Sequence, residues 1–135
     1  MASTLKINTL TGVSTAGSIA VTGEGNSTTT NLQQGLAKSW INFNGTSTIA
    51  TRDSFNITGV TDNGSGDYTV ATANDMSNAN YCITVCYNCN DYSADRNGID
   101  QDDTATGQYR RVIVSTGVAL QDNNFVASAT HGDLA

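Results

Sequence analysis

Residues 60–71 read VTDNGSGDYTVA, and this stretch decides the fold class. Val60 and Thr61 end one alternating segment, a polar run containing two glycines follows, and Tyr68 begins a second alternating segment. Asn63-Gly64 within the run readily adopts the positive φ angles that tight turns require. The stretch therefore predicts a β-hairpin.

The same two-residue alternation recurs from residue 36 onward. Further candidate strands lie at residues 40–45, 54–60, 81–88, 109–115 and 125–130. Short strands separated by Gly, Asn and Asp, with no helical period, predict an all-β domain over residues 36–135. We expect an antiparallel β-sandwich of the jelly-roll or Ig-like type. Its expected core contains Trp40, Phe43, Phe55 and Ile57.

Residues 1–35 are rich in Ser, Thr and Gly and have little apolar surface to bury. Residues 5–10 and 18–22 alternate in the manner of strands, and a neighbouring subunit could supply the edge with which they would pair. We therefore expect an extended N-terminal arm that contacts other subunits. Its expected anchors are Leu5, Ile7, Leu10, Ile19 and Val21.

Composition and charge exclude several classes of partner. The length of 135 residues predicts one compact domain, and the formal net charge is −6. A nucleic-acid partner is not expected, because phosphate-binding surfaces need clustered cations and the chain offers only the Arg110-Arg111 step. A membrane partner is not expected either, because no window approaches 18 apolar residues. Residues 1–7 lack the pattern of a signal peptide, so we expect synthesis in a cytoplasm.

Residues 90–108 form a polar insertion that we expect to be an exposed loop, because a core would leave its many polar groups without partners. Its aspartates are Asp91, Asp95, Asp100, Asp102 and Asp103. Residues 93–100 resemble part of an EF-hand, but Thr104 stands where a bidentate glutamate belongs. A solvated acidic loop is the favoured interpretation, and an irregular calcium site remains the alternative.

Cys82, Cys86 and Cys89 have the CxxxCxxC spacing that holds an iron–sulfur cluster in some radical enzymes. The alternation of residues 81–87 instead predicts a strand, in which Cys82 and Cys86 lie roughly 13 Å apart on one face. That separation is too large for a shared metal ion, so we expect free thiols, no metal and no cofactor. A small metal-binding enzyme is the less favoured alternative.

No set of catalytic residues can be assembled from the sequence. His131 is the only histidine, and the Gly-x-Ser-x-Gly motif of many hydrolases is absent. We therefore expect a protein that is not an enzyme.

Residues 35–46, continuing through residues 49–57 and 61–70, resemble a module of structural and tail-fibre-like proteins of marine tailed bacteriophages. Residues 2–9 are similar to the beginning of such proteins. The resemblance implies a component of the virion, but it does not indicate which one.

The chain contains no heptad run and no collagen-like repeat, so it lacks the shaft of a fibre. We expect a capsid decoration (cement) protein, a homotrimer bound to the major capsid protein. The alternative is a tail-fibre or receptor-binding tip that contacts the host surface.

Overall fold

The computed structural model of the chain is built of β-strands with almost no helix, which confirms the all-β prediction. It describes residues 4–13, 19–23, 28–87, 96–114 and 119–135, including the side chains of all of these except residues 96, 97 and 100–102. The strands are β1 (Ala20–Thr22), β2 (Thr29–Asn31), β3 (Ser39–Asn44), β4 (Ala50–Phe55), β5 (Ile57–Gly64), β6 (Asp67–Thr72), β7 (Cys82–Tyr87), β8 (Arg96–Ala105), β9 (Gln108–Val114) and β10 (Val126–His131). A short helix, α1, spans Leu32–Gly35.

The chain divides into two units, Met1–Leu36 and Ala37–Ala135. In the first unit, β1 and β2 pair antiparallel, with Val21 opposite Thr30. One edge of β1 is therefore paired within the chain, and the expected contact of the arm with a neighbouring subunit stays a prediction. The apolar side chains of Leu5, Ile7 and Leu10 are more than half exposed.

The second unit contains two four-stranded antiparallel sheets, with strand orders β4-β3-β10-β7 (the first sheet) and β5-β6-β9-β8 (the second sheet). The hairpin predicted at residues 60–71 is β5-β6, but its turn lies at Ser65-Gly66, two residues later than Asn63-Gly64. Gly64 and Gly66 have φ angles of 137° and 65°, respectively. The positive φ angles therefore occur at Gly64 and Gly66, and not at the adjacent pair Asn63-Gly64 as the sequence analysis expected.

The two sheets share one core. Ile41, Phe43 and Val126 contribute from the first sheet, and Tyr68, Val70, Tyr109 and Ile113 contribute from the second. Hydroxyl pairs also join buried positions: Ser39 Oγ and Thr130 Oγ1 are 2.7 Å apart, and Tyr109 Oη and Ser128 Oγ are 2.6 Å apart. The second of these pairs connects the sheets, because Tyr109 belongs to β9 and Ser128 to β10.

Two of the four expected core residues are on the surface, and the expectation was wrong for them. Trp40 is 37% exposed and Phe55 is 52% exposed, whereas Phe43 is fully buried. Residues three apart in a strand point to opposite faces, so Trp40 and Phe43 cannot both point inward. The register places Phe55 directly opposite Trp40, on the same outer face.

The chain passes from β4 to β5 through Asn56, whose φ is 56°. The Asn56 side chain holds this bend, since its Nδ2 donates to the Lys38 carbonyl oxygen (2.9 Å) and its Oδ1 accepts from the Asn74 backbone N–H (2.8 Å). Ile57, on the far side of the bend, is partly buried and packs against the core.

Where the structure describes it, the expected loop at residues 90–108 is largely a strand, which corrects the prediction for residues 96–105. Asp100, Asp102 and Asp103 lie within β8, which pairs with β9. Asp91 and Asp95 lie outside the described residues. Ile99 packs against the core from β8, a strand whose sequence is otherwise largely polar.

Candidate assembly surface

The outer face of the first sheet presents a group of apolar and small side chains that no other described strand of the second unit covers. The register aligns Trp40, Ala129 and Thr84 in one cross-strand row, and Asn42, Ala127 and Cys86 in the next. We call this surface the Trp40 face, and its members are Phe55, Trp40, Ala129, Thr84, Ala127 and Cys86.

A groove runs along the Trp40 face. Ala127 and Ala129 form its floor on β10, with Trp40 on one side and Thr84 and Cys86 on the other, and its volume is about 380 Å³. The groove exists because β10, which lies between β3 and β7, carries alanines where these two neighbouring strands carry larger residues. Contiguous exposed apolar surface of this kind marks interaction sites on soluble proteins.

Arg111 supports this groove from the inside of the protein. Its side chain is fully buried, and it reaches from β9 to the first sheet, where Nη1 donates to the Ala127 carbonyl oxygen (2.9 Å) and Nη2 to the Cys86 carbonyl oxygen (2.7 Å). Burial lowers the pKa of the guanidinium to about 10, so Arg111 remains charged at neutral pH. Arg111 thereby ties together the backbones of β10 and β7 beneath the floor and wall of the groove.

The two arginines of the Arg110-Arg111 step, which the sequence analysis considered together as a cationic cluster, point to opposite faces of β9, and Arg111 is buried. Tyr109, Arg111 and Ile113 share one face of β9, and all three are buried. Arg111 is two residues from Tyr109 and two from Ile113, and residues two apart in a strand point to the same face. This spacing is the sequence signal that could have identified Arg111 as pointing into the core.

Arg110 occupies the opposite, outer face of the second sheet and forms a polar cluster there. Its Nε and Nη2 donate to the two oxygens of Asp67 at 2.8 and 2.5 Å, and its Nη1 donates to Asp103. The hydrogen bonds from Arg110 lower the pKa of Asp67, with a smaller contribution from Asn63, and desolvation opposes this effect. A polar pocket of about 300 Å³ lies beside the cluster and is lined by Asn63, Thr69, Asp103, Gln108 and Arg110.

Cys82 and Cys86, the two cysteines that the structure describes, do not form a metal site with the other described residues. Cys82 and Cys86 lie in β7 as exposed free thiols, and Cys89 lies outside the described residues. His131 is directly opposite Cys82 in the register, a proximity that the sequence did not indicate. Within the part of the chain that the structure describes, no three His, Cys, Asp or Glu side chains cluster closely enough to hold a metal ion.

No helix in the described ranges has the length and apolar character that crossing a membrane requires. Comparison with known proteins gives no family model, curated protein or solved structure that matches the chain.

Proposed function

We propose that the chain is a non-enzymatic structural protein of a tailed-phage virion, a capsid decoration (cement) protein. In this proposal residues 36–135 form a β-sandwich body and residues 1–35 an arm that spreads over neighbouring subunits. Three copies assemble into a homotrimer that binds the major capsid protein, and the contacts bridge capsid subunits and stabilise the shell.

The observation that carries the proposal is the distribution of exposed apolar side chains. Trp40 and Phe55 are exposed on the Trp40 face, and Leu5, Ile7 and Leu10 are exposed in residues 4–13. Large apolar side chains left in water cost free energy unless a partner covers them. Assembly into a particle would supply such a partner at both places.

Stabilisation of a shell by this protein needs no tight individual contact. A protein that binds the assembled state shifts the equilibrium toward that state by mass action. Many modest contacts on one lattice also reinforce each other, because each bound copy raises the effective concentration of the next contact.

A receptor-binding tip is the second candidate, and the polar pocket beside Arg110 favours it. Its lining consists of the polar residues Asn63, Thr69, Asp103, Gln108 and Arg110, and polar groups of this kind recognise hydroxylated ligands such as glycans. In that case the second sheet would face the host cell.

Cryo-electron microscopy of the purified phage particles separates these functions. Density for the β-rich body on the capsid lattice supports decoration, and density confined to the tail supports the tip. A protein that does not sediment with particles at all would overturn both.

Add-back to particles lacking the protein tests the role of the Trp40 face. We expect the Trp40→Ala, Phe55→Ala double variant to bind at least about tenfold more weakly, because it removes the two largest apolar side chains of the face. Leu120→Ala is the matched control, since Leu120 is 43% exposed but lies outside the Trp40 face. Equal occupancy of the double variant and the control would show that this face is not the attachment surface.

A further inference from the structure

Strand β7 lies at the edge of the first sheet. In the order β4-β3-β10-β7, its one paired neighbour among the described residues is β10. The other side of an edge strand presents backbone N–H and C=O groups that can pair with another chain.

Edge strands usually carry features that prevent such pairing, and the other three edges of this unit do. β4 carries Arg52, Asp53 and a register shift against β3. β5 carries Asp62 and two register shifts, and β8 carries an arginine, three aspartates and a register shift. Charges and irregularities of this kind block the approach of another strand. β7 contains no charged residue and pairs with β10 in an unbroken register.

The sequence around β7 is also symmetric. Residues 81–87 read YCITVCY, so Cys82 mirrors Cys86 and Ile83 mirrors Val85 about Thr84. When a strand pairs antiparallel with a copy of itself about a two-fold axis, residues equidistant from the axis face each other. A two-fold interface must be complementary to itself. The β7 sequence meets this condition at every position.

We propose that a second copy of this chain adds to the β7 edge, with the two β7 strands antiparallel about a two-fold axis at Thr84. The pairing joins two four-stranded sheets into one continuous sheet. Because the axis is perpendicular to the sheet, the Trp40 faces of the two copies lie side by side on the same surface. This two-fold contact is separate from the contacts of the proposed homotrimer, and it does not depend on a virion role.

Charge supports a second copy as the occupant of this edge. Each chain has a net charge of −6, so a second acidic copy approaches with least local repulsion at a strand without charged residues, and β7 is such an edge strand. A strand of six residues is about 20 Å long, so the contact alone buries less than the roughly 800 Å² per partner of a stable interface. We therefore expect reversible association of the reduced protein.

The cysteines provide a direct test of the register. Cys82 of one copy faces Cys86 of the other, with Cα atoms about 4.5–5.5 Å apart, within the range of about 4.4–6.8 Å that a disulfide spans. A small-molecule disulfide is the oxidant. One cysteine thiolate attacks it and releases one small thiol, and the facing thiolate then displaces the second small thiol and forms the interchain bond. The protons of the two cysteines end on the two released thiols.

The test uses Cys89→Ser as the parent chain, with Cys82→Ser and Cys86→Ser added singly, followed by oxidation and non-reducing electrophoresis. Each single variant should lose the covalent dimer, because the facing position then holds serine. An equimolar mixture of the two variants should restore the dimer, since Cys86 of one chain faces Cys82 of the other. Dimers from either single variant alone, or no dimer from the parent and the mixture, would overturn the proposal. Circular dichroism establishes that every variant is folded.

Sedimentation of the reduced protein gives a second, independent test. Thr84→Lys brings two lysines together at the axis and should weaken self-association at least about tenfold. Thr61→Lys is the matched control, because it makes the same change at an exposed position of another edge strand. Equal association of the two variants would refute pairing at β7. Loss of association on deleting residues 1–10 of the otherwise unchanged protein would show that the arm occupies the edge instead.

Discussion

The rings of Phe43 and Tyr68 meet edge to face between the two sheets, with centroids 5.2 Å apart and ring planes at 80°. The Tyr68 hydroxyl is placed to donate to the Gly45 carbonyl oxygen or to Asp122 Oδ1, each 3.0 Å away, and Asp122 Oδ1 also accepts from the Gly66 backbone N–H at 2.7 Å. The aromatic pair therefore links the core to the loops at one end of the unit.

Phe43 should dominate the stability of the β-rich unit. We expect Phe43→Ala to lower the free energy of unfolding by about 3–5 kcal/mol, because it leaves a cavity in a core that does not refill. Phe55→Ala is the control on the neighbouring strand, and because Phe55 is half-exposed it should cost much less. Urea denaturation followed by circular dichroism measures both, and equal losses would contradict the assignment of inner and outer faces.

Gly66 should not tolerate a side chain. Its φ is +65°, and an added Cβ would lie 2.4 Å from the Gln121 backbone nitrogen and 2.7 Å from the Ile113 carbonyl oxygen. Gly66→Ala should therefore cost more than the roughly 1–2 kcal/mol of the left-handed conformation alone, because the loop must also move. Gly59→Ala is the matched control, since an added Cβ there meets nothing within 4 Å. Thermal unfolding should separate the two variants clearly.

The all-β class was predictable because solvent-facing and core-facing residues alternate with a period of two in antiparallel sheets. The face of each strand was also present in the sequence. In β3, Trp40, Asn42 and Asn44 occupy alternate positions and therefore lie on the same face of the strand. The two asparagines indicate that this face is exposed to solvent, so Ile41 and Phe43 point inward. Choosing core residues by size alone missed this signal and placed Trp40 and Phe55 inside.

The β8 strand and the role of Arg111 were harder to predict. β8 needs little apolar character because it is an edge strand and its stability comes from backbone pairing with β9. Arg111 is charged, and charged residues are rarely buried without partners. Its acceptors are the carbonyl oxygens of Ala127 and Cys86, on two strands distant in sequence, so only the tertiary structure shows them.

Acid should destabilise the protein partly through Asp67. The pKa of Asp67 is lowered in the folded state, chiefly by hydrogen bonds from Arg110. The resulting stabilisation is fully present at a pH above the pKa that Asp67 has in the unfolded chain. It is lost as the pH falls through the lower pKa that Asp67 has in the folded protein. Asp67→Asn should therefore lose less stability than the wild type below about pH 4. Asp53→Asn, at an exposed position of β4, is the charge-matched control. Urea midpoints measured from pH 7 to pH 2 test this, and parallel curves for Asp67→Asn and the wild type would contradict it.

Alkaline pH should act through Tyr81. Its hydroxyl is placed to donate to the carbonyl oxygen of Ala105 (3.0 Å) or of Gln108 (2.9 Å), and burial raises its pKa to about 12. Tyr81 therefore stays protonated in the folded protein at a pH near 10, where the same phenol ionises in the unfolded chain. The stabilisation that the Tyr81 hydroxyl contributes is complete below about pH 10 and is lost as the pH rises through about 12. Tyr81→Phe should be less stable than the wild type at pH 8, by about 1 kcal/mol for the lost hydrogen bonding, but its stability should fall less between pH 10 and 12. Unfolding midpoints across this range, with phenolate absorbance as the probe of ionisation, provide the measurement. If the unfolding midpoints of Tyr81→Phe and of the wild type fall equally steeply between pH 10 and 12, the Tyr81 hydroxyl does not cause the loss of stability at alkaline pH.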